Sequence, residues 1–158
     1  VMIGVFLLVV GMVAAISLLS AGLGNSMDSR NQTIAGFLSQ EGVELVRNIR
    51  DTNWVVGNAT FNGINAGECA ISPGTALSCP AASFQLYYNP TNLRYAHNST
   101  GAAITKFSRK IIVENLPGNE KKVTSEVIWG GAWPNSTAAC NTKNKCAYSE
   151  VTLTEWGN

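Results

Sequence analysis

Residues 1–27 read VMIGVFLLVVGMVAAISLLSAGLGNSM, and residues 28–54 read DSRNQTIAGFLSQEGVELVRNIRDTNW. The first run holds no charged residue. The second opens on Asp28 and turns polar with no proline or turn cluster at the junction. Both are read as one continuous helix. At 1.5 Å per residue it would be about 80 Å long. Its apolar part alone exceeds a hydrocarbon core of about 30 Å, whereas globular helices average about 11–12 residues. The residues that follow are too few to wrap such a rod. Something outside the chain, lipid or further copies, must cover the apolar half.

The expected organisation is therefore α+β in three parts. Residues 1–27 form an apolar helix half, 28–53 an amphipathic half, and 54–158 a globular head with an antiparallel sheet. Gly4, Gly11 and Gly22 interrupt the aliphatic run. They let helices approach closely, or they mark local unwinding near Gly11 or Gly22–Gly24, since glycine costs about 1 kcal/mol relative to alanine in a helix. In the amphipathic half, Ile34, Phe37, Leu38, Leu45 and Ile49 recur at helical spacing and should pack on the sheet. Glu41 falls inside that stripe and is read as a carboxylate at its edge rather than a catalytic acid. Glu44, Arg47 and Asp51 suit a solvated ion-pair row. The helix should end near Thr52–Gly57.

Composition excludes several function classes. The chain of 158 residues carries a net charge of +1, and charged residues make up 13% of it. That balance does not favour nucleic acid or an acidic surface as main partner. Cys69, Cys79, Cys140 and Cys146 fall into two local pairs, spaced C-x9-C and C-x5-C, which are poor zinc spacings. Bridges Cys69–Cys79 and Cys140–Cys146 are the economical pairing among the three possible, and they imply an oxidising, extracytoplasmic compartment. The apolar start lacks a basic n-region, a short core and an A-x-A site, so it is read as retained rather than as a cleaved secretory signal.

Residues 58–82 are rich in Gly, Asn, Pro and small side chains and read as a long loop. Segments 84–88 and 93–96 should pair through the Asn89–Asn92 turn. His97 follows and is read as a surface histidine. Segments 105–115, 121–129 and 147–156 are three strands. Val123, Ser125, Val127 and Trp129 should share one face, as should Val151 and Leu153, giving a half-buried antiparallel sheet. Its apolar face and the helix stripe need each other, so Val123, Val127, Val151 and Leu153 are the expected partners of the stripe. Residues 130–145 form a hairpin loop closed by Cys140–Cys146.

This pattern resembles the type IV pilin and pseudopilin family. VMIGVFLLVVGMVAAISLL is similar to the pilin segment that follows the prepilin cleavage site. SRNQTIAGFLSQEGVELVRNIRDTNW is similar to pilin-like proteins, including those of Patescibacteria-type bacteria. FSRKIIVENL, VTSEVIW and VTLTEW resemble the family's C-terminal strands. The family's basic leader and Phe-Thr-Leu-Ile-Glu-like start have no counterpart here, and the best frame puts Val1 just after that glutamate. The resemblance implies a membrane anchor before assembly and a filament core afterwards, built by Val1, Val5, Phe6, Leu7, Leu8, Val9, Met12, Val13, Ile16, Leu18 and Leu19. It also implies a prepilin peptidase and pilus assembly machinery as partners, copies of itself in a helical filament, and an extracellular location on the cell surface.

The favoured function is thus a structural pilus subunit. Alternatives are a minor pilin or pseudopilin of a secretion or DNA-uptake machine, and a membrane-anchored adhesin using loops 58–82 and 130–145 with Trp133 as a contact. An enzyme is not expected, because the sequence holds no G-x-S-x-G, H-E-x-x-H, P-loop or paired-carboxylate arrangement. No catalytic, cofactor or metal residue is assigned, and no nucleic acid or small-molecule substrate is expected. Asn31, Asn58, Asn98 and Asn135 each begin an Asn-x-Ser/Thr triplet, of which the last three are candidate glycosylation sites.

Overall fold

A computed structural model describes residues 2–155, with the backbone alone at Leu7. Helix α1 runs unbroken over Met2–Val55. It passes through Gly11, Gly22 and Gly24 without a break, so of the two readings of these glycines local unwinding is absent from this structure. The propensity cost of an isolated glycine is small beside an otherwise continuous hydrogen-bond ladder.

Six antiparallel strands follow: β1 (Gly67–Cys69), β2 (Gln85–Asn89), β3 (Arg94–Ala96), β4 (Ala103–Leu116), β5 (Glu120–Ile128) and β6 (Cys146–Leu153). They form one sheet in the order β3-β2-β4-β5-β6. β4 is the long central strand. One of its edges pairs with β2 near its start and with β1 near its end, and the other pairs with β5. The three long strands match the alternating segments of the sequence, with β6 stopping at Leu153. The expected strand to Trp156 is too long: Thr154 and Glu155 are irregular, and Trp156 lies outside the described residues. β2 and β3 form the expected hairpin around Asn89–Asn92. β1 lies within the expected loop, where its three residues carry too little periodicity to read as a strand.

The sheet packs against residues 31–53 of α1, so the chain is an α+β fold with a protruding helix. Two apolar clusters fill the interface. Ala35, Leu38, Leu86, Phe107, Val127 and Trp129 form one, with Ile34 packed against it. Val46, Ile71, Ile111, Val113, Val123 and Leu153 anchor the other, with Leu45, Ile49 and Val151 at its edge. Phe37 does not join either: it is 68% exposed. At about 100° per residue, Gly42 on the sheet-facing side lies about 70° round from the centre of the aliphatic stripe. Phe37 is thereby carried to the solvent side.

Gly42 explains that rotation. A Cβ there would lie 2.3 Å from Ser125 Oγ and 2.9 Å from Ile111 Cδ1. Ala35, Ser39 and Gly42 give the helix a narrow flank, and the sheet closes onto it. Between the two apolar clusters lies a polar seam. Ser39 Oγ shares a 2.8 Å hydrogen bond with Ser149 Oγ, and Ser125 and Arg109 are fully buried. Elsewhere on α1, Glu44 pairs with Arg47. Asp51 pairs with its neighbour Arg50 at 2.8 Å rather than extending the expected row.

Both short-range disulfides are formed, Cys69–Cys79 and Cys140–Cys146. The first ties β1 to the loop beyond it. The second closes the long β5–β6 connection at the start of β6.

Candidate functional site: an uncovered apolar helix

Residues 2–27 of α1 project beyond the part of the helix that packs on the sheet. Every described side chain in the stretch is exposed apart from Leu7, which lies outside the described side chains, as Val1 lies outside the described residues. The remaining candidate core residues (Val5, Phe6, Leu8, Val9, Met12, Val13, Ile16, Leu18 and Leu19) run from 53% exposed at Val9 to 74% at Leu18. Consecutive positions such as Leu8, Val9 and Val10 point around the whole helix, so no face is polar. A helix apolar all round is stable only when surrounded. Each large side chain gains about 1.5–3 kcal/mol on full burial, so the stretch offers tens of kcal/mol to whatever covers it.

The stretch is also long enough and apolar enough to cross a membrane. Backbone hydrogen bonds are satisfied within the helix, which lipid demands. Asp28 and Arg30 supply the first charges, at the junction with the packed half. The two disulfides suit an oxidising, extracytoplasmic compartment for the head. The molecule thus carries an apolar rod compatible with membrane anchoring and a disulfide-bonded head.

The head fixes that rod through one buried cation. Arg109 of β4 is fully buried at the helix–sheet interface. Its Nη1 donates to Leu38 O at 3.1 Å and to Glu41 Oε2 at 2.8 Å, and its Nη2 donates to Ile71 O at 2.8 Å. One guanidinium therefore joins helix, sheet and loop 58–82. Burial lowers its pKa, and the Glu41 carboxylate opposes that. Glu41 keeps a third of its side chain in water and is the partner of this cation. A mid-strand arginine in an alternating pattern reads as a solvent-face residue, so sequence reasoning missed it. Glu41 inside the apolar stripe was the available signal.

On the opposite face of the sheet, Lys110 and Glu126 are buried. Lys110 Nζ reaches Glu68 Oε1 at 2.9 Å and lies 4.9 Å from the Trp133 ring centre. Thr137 of the disulfide loop donates to Glu126. Trp133 also meets Phe84 edge-on, with ring centres 5.7 Å apart. Its ring is thus already engaged by the protein's own side chains. A shallow cleft of about 490 Å³ beside it is lined by Gly130, Asn135, Lys143 and Asn144 among others.

His97 is not the surface residue expected. It is half-buried, its Nδ1 lies 3.1 Å from Gln85 O, and its Nε2 is buried with no partner. Burial, and then the charge of Arg109, lower its pKa to about 4, against the opposing hydrogen bond to Gln85. Among the described residues no group of three or more His, Cys, Asp or Glu could hold a metal ion. Compared with known proteins, the chain matches no family model, no curated protein and no solved structure.

Proposed function

We propose that this protein is a structural subunit of an extracellular filament of the type IV pilus kind, polymerising through residues 1–27. The observation that supports it is a charge-free helix half left exposed on every side of a disulfide-bonded head. Before assembly, lipid covers that helix. In the filament, neighbouring copies cover it by helix packing. A head-to-tail contact that does not close generates a helical array, and the heads form its outer shell.

The test is electron microscopy of material sheared from the cell surface, with mass spectrometry of the purified fraction. Thin filaments composed mainly of this chain are the expected result. Recovery of single copies in the membrane fraction, with no filament containing the chain, would overturn the reading in favour of an anchored binding domain. Filaments in which the chain is a trace component would favour a minor pilin or pseudopilin.

A further inference from the structure

The four Asn-x-Ser/Thr triplets meet different fates in the fold. Asn31 lies on the packed half of α1 and is 8% exposed, so its triplet is locked in helix. Asn58 is exposed, but Thr60, two residues on, is buried, and its carbonyl accepts from Asn53 Nδ2 at 3.2 Å. Asn135 is exposed, but the Thr137 hydroxyl is committed to the buried Glu126. Asn98, Ser99 and Thr100 are all exposed, in the turn between β3 and β4. Asn98 Oδ1 accepts from Thr100 N at 2.9 Å. Ala102 N donates to Ser99 O at 3.2 Å, and Gly101 takes a positive φ of 67° to complete the reversal. Neither Asn98 Nδ2 nor the Thr100 hydroxyl bonds to another group among the described residues.

We propose that Asn98 is an N-glycosylation site, modified by a transferase that uses a lipid-pyrophosphate-linked oligosaccharide. The triplet is the acceptor signature for that chemistry, and the two bridges suit an extracytoplasmic compartment. Asn98 Nδ2 attacks C1 of the first sugar. A C–N bond forms, the C1–O bond to pyrophosphate breaks, and the lipid pyrophosphate leaves with the bonding pair. One Nδ2 proton passes to a base of the transferase, and nothing is oxidised or reduced. The hydrogen bond at Oδ1 draws electron density from the amide and eases loss of that proton. The Thr100 hydroxyl is free to be gripped by the enzyme. This assignment does not depend on filament formation, since an anchored monomer presents the same turn.

The test is tandem mass spectrometry of the mature protein from its native cells. Trypsin cutting after Arg94 and Lys106 releases residues 95–106, and this peptide should carry a glycan mass on Asn98. Asn98→Gln and Thr100→Ala should each reduce occupancy to background, while Thr100→Ser retains it at a lower level. Both disulfides, checked by non-reducing mass analysis, should persist in all three variants because the turn is exposed. An unmodified peptide alone would overturn the proposal. So would a sugar that persists in Asn98→Gln, which would place it on Ser99 or Thr100, or a glycan at Asn58 or Asn135 in place of Asn98.

Discussion

The two halves of α1 share one backbone ladder but solve the burial problem differently. The half before Asp28 is apolar on every side, and its described side chains are all exposed. The half after it carries fewer large apolar residues, yet it is fixed by Ala35, Ser39, Gly42 and the buried guanidinium of Arg109. Hydrophobicity and packing are therefore separable. The more apolar half is exposed, and the less apolar half is tightly held. Apolar surface sets how much is gained by burial. Shape and hydrogen bonding decide which surface can be buried against which.

The largest expected effect separates the halves by location. Leu8→Arg with Ile16→Arg costs about 3 kcal/mol per substitution at the centre of a membrane span. The double variant should move from the membrane or filament fraction to the soluble fraction with both disulfides intact. Thr33→Arg, on the exposed side of the packed half, should not change the distribution. An unchanged distribution for the double variant would mean that the apolar half is not what holds the protein there.

Next comes Arg109→Ala. It removes the donor to the carbonyls of Leu38 and Ile71 and to the carboxylate of Glu41. Losing charge-assisted hydrogen bonds of this kind costs about 1.5–3 kcal/mol. Denaturant unfolding of the head should show it as a lower midpoint, with membrane partitioning unaffected.

Two glycine substitutions sharpen the contrast further. Gly42→Val overfills the helix–sheet contact and should cost about 1–3 kcal/mol. A Cβ at Gly11 meets nothing in the chain, so Gly11→Val should leave head stability unchanged. If the two variants unfold alike, the close approach at Gly42 is not what seats the helix.

The smallest effect is in pH. His97 is held neutral in the fold, with a pKa of about 4 against roughly 6.5 in an unfolded chain. Between those values the unfolded state binds more protons, so head stability should fall as pH drops from 6.5 towards 4. His97→Asn should flatten the pH dependence of the unfolding midpoint within that window. Partitioning of the apolar half should not respond to the substitution.

Much of the architecture was legible residue by residue. The uncharged run from Val1 to Met27 announces an extended helix, because no other structure satisfies so many backbone groups in so apolar a stretch. Alternation in β5 and β6 announces the sheet, because a pleated strand half-buried on one side must alternate. The local cysteine pairs anticipate both bridges. Phe37 was misplaced because a hydrophobic stripe gives a face only to within the rotation that its partner selects. Arg109 and His97 were missed because burial of a polar group depends on hydrogen-bond partners distant in sequence.

The sequence by itself thus determined the helix, the long strands and their order, the two halves of the helix and the apolar surface left over. These follow from local periodicity and from transfer free energies, which each residue carries wherever it is placed. Only the tertiary structure decided the rotation of α1 on the sheet, the burial of Arg109 and the exposure of the Asn98 triplet. Those depend on which atoms from distant segments arrive at the same place, a property of packing geometry that no single stretch of chain contains.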